Sequence, residues 1–397
     1  MKKSEIIYLT ALRGIASIWV GLHHAFTSLQ LKSLHTLNVV SVIAYKGWLG
    51  VDLFFILSGF ILAYSYQQRM KSFSCQTTYD FLMARVARVL PAHFFVMLIL
   101  GVGVFMAIFS GLYHDRSGVY TFYHYVQQFF LIHGTGLVLP KGWNSPSWSI
   151  GAEMIAYFFF PVIILIFHRS WSLLKSIAIL FFMIISLVIV SWLLYKGEKF
   201  MFDFELTPVR VISEFTVGIL LFQIMSSVGS KKKGLFLPLI LTGTGGVLLH
   251  PFILSHSFFD FVYLLYFILI ILGCAFSARV IRLRFLSFLG DISYGFYLVH
   301  SLVIILLNQL IARFNFVSEY LVLILVLYFV VSLFCAWILY EGVEKPSHRL
   351  VLRWSVQMKE IATNKKRSNI DKNEQCEINP DRDTYSFSRN NVTRTIV

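Results

Sequence analysis

Two ionisable side chains, Arg13 and His24, interrupt an apolar stretch near the start of the sequence. On a helix their spacing puts them about 20° apart around the axis and about 16 Å apart along it, so both face one side. An ionisable group inside a membrane-length helix is costly unless it meets a partner or a wet cavity. A snorkelling arginine and a packed histidine would explain each residue alone, but the shared stripe favours a functional pair.

Other polar side chains interrupt later apolar stretches. Ser149 and Glu153 are four residues apart and would share a helix face. Glu153 lies too deep in its stretch to be a surface charge, so we expect it to be paired, protonated or catalytic. His300 falls near the middle of another stretch, which also carries Tyr294. Asp52 stands near the start of its stretch, where capping of a helix end is the simplest explanation.

The arginines Arg85 and Arg88 share one side of a predicted helix just before Pro91. Such a pair can bind a phosphate, although arginines at the mouth of a membrane span are also ordinary determinants of topology. Glu341 and Glu344 follow the last apolar stretch among basic neighbours. A salt bridge to a nearby arginine is their simplest explanation.

The composition indicates which secondary-structure elements hold these polar side chains. Of 397 residues, 57% are hydrophobic and only 14% charged, with a mean hydropathy of +0.72. The apolar stretches reach the length of about 20 residues that a helix needs to cross a bilayer. We therefore predict an all-α, polytopic transmembrane bundle of about ten helices. The predicted spans are 6–28, 48–66, 93–113, 146–167, 173–195, 209–226, 234–250, 258–278, 286–311 and 319–340.

The distribution of charged and polar residues divides the chain into two parts and predicts its orientation in the membrane. Residues 1–350 form the predicted transmembrane domain, and 351–397 a polar, disordered cytoplasmic tail. Lys and Arg concentrate between the spans on the side that holds both termini, which places that side in the cytoplasm. We therefore attribute the net charge of +14 to residues that set the membrane topology and contact lipid headgroups, rather than to nucleic-acid binding. The four cysteines lack paired spacing, so we expect neither a disulfide framework nor a metal site.

Six motifs in order along residues 1–350 resemble the acyltransferase-3 family, membrane-bound bacterial O-acyltransferases that act on glycans. Each motif is weak alone, but their order and their placement on the predicted helices make the set specific. They are Leu12-Arg-Gly-Ile-Ala16 with Arg13-x10-His24, Gly50-Val-Asp-Leu-Phe-Phe-Ile-Leu-Ser-Gly-Phe60, Arg85-x-x-Arg88 before Pro91, Trp148-Ser149-x3-Glu153, Leu289-Gly-Asp-Ile-Ser-Tyr294 through His300, and Tyr340-x3-Glu344-Lys-Pro346.

The resemblance implies an O-acyltransferase that uses acetyl-CoA or another acyl-CoA as donor substrate, without a permanently bound cofactor. The acceptor would be a surface glycan or a lipid-linked saccharide, and a separate extracytoplasmic partner could complete the transfer. The resemblance places the protein in the bacterial inner membrane, in polysaccharide modification. The implied catalytic residues are His24, Arg13, Glu153 and Ser149, with Arg85 and Arg88 for the donor; Asp52, Tyr294, His300 and Glu344 are further candidates.

A transporter or flippase is the competing class, because it also needs a polar path and ionisable groups within the membrane. Paired broken helices and an internal repeat, which would favour that class, are not evident in the sequence. A catalytically inactive scaffold that recruits partners through its tail is a third alternative. Turnover of acyl-CoA separates the first class from both others.

Overall fold

The computed structural model describes residues 3–29, 38–111, 118–139, 142–167, 171–198, 206–228, 234–254, 256–277, 284–314 and 320–357. These residues form helices and connecting turns, with no β-strand among them. The helices are α1 (Lys3–Ser28), α2 (Asn38–Tyr45), α3 (Gly50–Tyr66), α4 (Cys75–Phe109), α5 (Phe122–Phe129), α6 (Trp148–Ile166), α7 (Leu173–Tyr195), α8 (Thr207–Val228), α9 (Phe236–Ile253), α10 (Val262–Ala275), α11 (Arg284–Asp291), α12 (Ser293–Phe314) and α13 (Leu321–Leu339).

The prediction of a polytopic helical bundle is confirmed. Within the described residues, nine helical segments are long and apolar enough to cross a membrane. The 26-residue α1, which carries Arg13 and His24, is the tenth long helix and packs against α3, α11 and α12. The sequence also predicts an interfacial helix rather than a span over 121–133, and this segment holds the short helix α5 and a turn of 3-10 helix.

Two predicted spans differ from the helices that form. The span predicted at 93–113 is the second part of α4, which begins at Cys75 and is 35 residues long. The Ser74 hydroxyl caps its first turn by accepting a hydrogen bond from the Thr77 amide. The helix therefore begins among polar residues that the apolar pattern did not include. The span predicted at 286–311 is divided at Ile292 into α11 and α12.

Close backbone contact between α3 and α8 organises the centre of the bundle. A Cβ added to Gly59 would lie 2.8 Å from the Phe215 carbonyl carbon, and one added to Gly218 would lie 2.7 Å from the Phe60 amide. Larger residues at these two positions would force the helices apart. The glycines therefore set the distance between α3, which lines the site described below, and α8.

The bundle has two chemically different ends. At the "His24 end", the His23 imidazole donates to the Tyr45 carbonyl at 3.0 Å, and Lys46 forms an ion pair with Asp260 at 2.7 Å. At the opposite "arginine end" lie Arg85 and Arg88 on α4. The chain reaches this end again where α13 passes through a π-helical turn, Tyr340–Glu344, into a helix over 345–357.

That last helix runs beyond residue 350, where the predicted transmembrane domain ends. The remainder of the predicted tail, 358–397, lies outside the described residues.

Candidate active site

A cavity inside the bundle brings four of the predicted site residues together. It has about 470 Å³ of empty space including its opening, and α1, α3, α6 and α12 contribute its walls. The predicted residues in its lining are Arg13, Ser149, Glu153 and Tyr294. The other lining residues are Val51, Phe54, Phe55, Ser58, Ile150, Ser293 and Tyr297. The cavity is thus partly polar and mainly aromatic and aliphatic.

Glu153 is held in the cavity wall by two hydroxyl groups. Ser58 Oγ on α3 and Tyr157 Oη on α6 each donate to Glu153 Oε1 at 2.5 Å. Arg13 lies within electrostatic range of the same carboxylate. Glu153 is therefore paired with two hydroxyl groups and lies near an arginine. Pairing was one of the three possibilities predicted from its depth in the apolar stretch, beside protonation and catalysis.

Ser149 shares the cavity with Glu153, as their spacing predicts, but its hydrogen bond goes to Tyr297. Tyr297 Oη lies 2.8 Å from the Pro146 carbonyl, which can only accept, so the phenol donates there. Ser149 Oγ, 2.7 Å from the same phenol, then donates to Tyr297. This chain of bonds fixes the Tyr297 ring against the start of α6.

His24 and His300 stand beside each other at the far side of Tyr297. Their ring centroids are 4.9 Å apart, and the His300 ring is 5.6 Å from that of Tyr297. Among the described residues, the cavity lining does not include His24. Tyr297 lines the cavity and contacts His300, and His300 contacts His24, so these two rings connect the cavity with His24.

The tautomer of His24 follows from its hydrogen bond. Nδ1 lies 3.0 Å from the Val20 carbonyl, and since a carbonyl only accepts, Nδ1 carries the proton. In the neutral ring Nε2 then keeps its lone pair. His300 is arranged in the same way, with Nδ1 2.8 Å from the Tyr297 carbonyl and a buried Nε2 without a partner among the described residues.

The two arginines at the other end differ in exposure. Arg88 is exposed, whereas Arg85 is half-buried, with its guanidinium carbon 5.8 to 5.9 Å from the ring centroids of Tyr66, Phe81 and Tyr157. Within the described part of the chain, Arg85 Nε is buried without a hydrogen-bond acceptor. The pair therefore presents one cation to solvent and one to an aromatic interior.

Asp52 forms a buried ion pair rather than only a helix cap. It lies in the first turn of α3 and pairs with Arg210 on α8, which also bonds Glu214 at 3.3 Å. All three side chains are less than a tenth exposed. Sequence reasoning missed Arg210 and Glu214, although their spacing of four residues in an apolar stretch is itself a signal for an ion pair.

A second missed group holds the segment before α6 in place. Asn144 donates through Nδ2 to the Leu298 carbonyl at 3.0 Å and accepts from Ser301 at 2.7 Å, which ties it to α12. His133 lies 3.0 Å from the Ser147 hydroxyl, and that hydroxyl donates to the Asn144 carbonyl. Burial, with the nearby His93, lowers the pKa of His133 to about 4, so the ring is neutral at physiological pH. These residues position Ser149.

The fold and the cavity define a multi-pass membrane bundle with an internal polar site. The chain belongs to the acyltransferase-3 family: the family's sequence model, described as an acyltransferase domain, matches residues 6–341. This confirms the resemblance drawn from the six motifs.

Three individual proteins resemble the chain. Acyltransferase MdmB of Streptomyces mycarofaciens is 28% identical over 39% of this chain and 38% of its own length. Peptidoglycan O-acetyltransferase OatA of Listeria monocytogenes is 23% identical over 35% of this chain and 24% of its own length. A putative acetyltransferase, ORF330 of Acidianus two-tailed virus, is 27% identical over 76% of this chain and 84% of its own. The matches to the first two relatives thus span well under half of those proteins, and no solved structure matches the chain.

Proposed function

We propose that this protein moves an acyl group, most simply acetyl, from cytoplasmic acyl-CoA to a hydroxyl of an extracytoplasmic or lipid-linked glycan. The observation that carries the proposal is the position of His24. Its Nε2 keeps a lone pair, the rings of His300 and Tyr297 connect it to the cavity, and Arg85 and Arg88 lie towards the opposite end of the bundle. A donor with a phosphorylated head and a long thioester arm matches that arrangement.

The donor would enter at the arginine end. Exposed Arg88 is suited to the CoA phosphates, because guanidinium groups bind phosphate oxygens in a bidentate manner. Arg85, held among three aromatic rings, would contribute a fixed positive charge beside them. The pantetheine arm would then occupy the cavity past Arg13 and Glu153, and the thioester would reach His24 past Tyr297.

The chemical step would use Nε2 of His24 as a general base. As the acceptor hydroxyl attacks the thioester carbon, Nε2 takes the hydroxyl proton and a C–O bond forms. The tetrahedral intermediate then collapses, the C–S bond breaks, and the imidazolium returns the proton to the leaving thiolate of CoA. Transfer by way of an acylated His24 would use the same nitrogen. His300, with its ring against that of His24, would hold the ring in place.

The glycan acceptor is supported by the family and by the Listeria relative, whose name specifies O-acetylation of peptidoglycan. A cytoplasmic donor and an extracytoplasmic acceptor require the two ends of the bundle to face opposite sides of the inner membrane. Both termini then lie in the cytoplasm, as the distribution of Lys and Arg indicates. Membrane lipids surround the bundle, and a separate extracytoplasmic partner could deliver the glycan.

The release of free CoA thiol tests the proposal in the purified, full-length protein. His24→Asn keeps an amide donor where Nδ1 bonds the Val20 carbonyl but removes Nε2, so we expect at least about a hundredfold loss of turnover. His93→Gln is the control. It replaces another buried histidine, keeps a donor to the Gln128 carbonyl and should retain most of the activity.

Equal activity of the two variants would exclude Nε2 of His24 as the base. Wild-type protein that releases no thiol from any of several acyl-CoAs, with host glycan supplied, would overturn the acyltransferase proposal itself.

A further inference from the structure

The π-helical turn at the end of α13 places an unpaired carboxylate oxygen inside the arginine end of the bundle. Single π-helical turns insert one residue into a helix, shift the faces that follow and occur often at functional sites. Here the turn spans Tyr340–Glu344, and its last residue turns inward. Glu344 Oε1 is buried and, within the described part of the chain, accepts no hydrogen bond.

The backbone of α12 leaves space for this carboxylate. A Cβ added to Gly295 would lie 2.9 Å from both Glu344 Oε1 and the Ala336 carbonyl oxygen, so the glycine allows both to approach α12 closely. Gly295 follows Ser293 and Tyr294, which line the cavity. The carboxylate therefore lies directly behind the cavity wall.

The charges around Glu344 are Arg88, assigned above to the CoA phosphates, and Arg13, past which the pantetheine arm would run. Glu344 lies within electrostatic range of Arg88 and Arg13, and these two arginines are within range of each other. Two cations held together repel unless an anion lies near them. Glu153 lies near Arg13, and Glu344 lies near both arginines.

We infer that Glu344 is a positioning residue that acts as the resident counter-ion of the donor-binding arginines and competes with the phosphates of CoA. The inference rests on the proposed function, because it takes CoA as the donor. The carboxylate keeps Arg13 and Arg88 in place between turnovers and weakens the binding of CoA, which allows the product to leave.

Binding of free CoA to the purified full-length protein tests this role. Glu344→Gln removes the charge with little change in shape, so we expect the Kd for CoA to fall by about three- to tenfold at low salt. The kcat should fall as well, since CoA release becomes slower. Glu344→Asp keeps the charge and should retain a Kd near that of the wild type.

Glu341→Gln is the matched control on the same π-helical turn. Glu341 is about half exposed and pairs with Lys345 at 2.6 Å, so its loss should leave the Kd for CoA unchanged. In an Arg88→Gln background, Glu344→Gln should no longer tighten binding, because the cation for which the anions compete is gone. Glu344→Ala repeats the test of charge loss should the glutamine variant not purify.

The outcomes separate the two proposals. Wild-type protein that does not bind CoA contradicts the proposed function. Wild-type protein that binds CoA, with Glu344→Gln and Glu344→Ala binding it no more tightly, overturns the role of Glu344 alone.

Discussion

At the scale of single residues, the imidazoles of His24 and His300 share one hydrogen-bonding arrangement. Both rings use Nδ1 to donate to a carbonyl of their own helix, so Nε2 keeps its lone pair in each neutral ring. The two ring centroids lie 4.9 Å apart. We therefore expect His300 to limit the orientations open to His24.

Replacing His300 tests this dependence. His300→Asn keeps a donor to the Tyr297 carbonyl but removes the ring that packs on His24, and we expect kcat to fall about tenfold with the KM for donor unchanged. The measurement is steady-state release of CoA thiol against donor concentration. The control is His93→Gln: His93 is equally buried but uses Nε2 to bond the Gln128 carbonyl, and glutamine keeps a donor there. A fall of kcat in both variants, or in neither, would contradict a specific role for His300.

Sequence reasoning predicted which residue types meet in the site but not all of their bonds. The helical spacing of Ser149 and Glu153 was sufficient to place both in one cavity wall. Their partners, Tyr297 for Ser149 and Ser58 for Glu153, come from helices far away in the chain. Spacing along one helix carries no information about such contacts, so these bonds could not be predicted.

At the scale of elements, the pairing of α3 with α8 supports the site. Asp52 and Arg210 connect the two helices beside the close contact at Gly59 and Gly218. Removing one member of a buried ion pair costs about 3–5 kcal/mol, because the partner is left uncompensated. The cavity residues of α3 depend on this connection for their position.

Arg210→Met should therefore lower the thermal unfolding temperature markedly, since it leaves Asp52 and Glu214 buried without a cation. The unfolding of detergent-purified protein, followed by intrinsic fluorescence, provides the measurement. Arg313→Met removes an exposed arginine from α12 and should have little effect. Neutralising all three members of the cluster should recover part of the stability. An Arg210→Met variant as stable as wild type would show that the triad does not hold α3 to α8.

The boundaries of the helices show where an apolar pattern stops being informative. The hydropathy of the sequence located each long helix, because crossing a bilayer demands a long apolar stretch. It missed the first part of α4, where polar residues continue the helix, and the break at Ile292 between α11 and α12. It also missed the π-helical turn, because hydropathy does not distinguish a π-helical turn from an α-helical one.

At the scale of the whole molecule, the candidate groups for donor binding and for proton transfer lie in different parts of the bundle. Arg85 and Arg88 lie at the arginine end, the imidazoles of His24 and His300 lie at the His24 end, and the cavity lies inside the bundle. A transporter would also need a polar path, but it would not need a basic nitrogen beside that path. The proposed acyl transfer uses the His24 nitrogen and a route for the thioester to reach it.

The most direct test of the account is transfer of label from radiolabelled acetyl-CoA to glycan in membranes that contain wild type or His24→Asn at matched expression. The account predicts a labelled glycan with the wild type, with the label released by mild base as expected for an O-acyl ester, and none with the variant. Equal labelling with both proteins would contradict the role of His24. A glycan or small solute that crosses the membrane without covalent change, and with no label in any glycan, would contradict the acyltransferase account and favour transport.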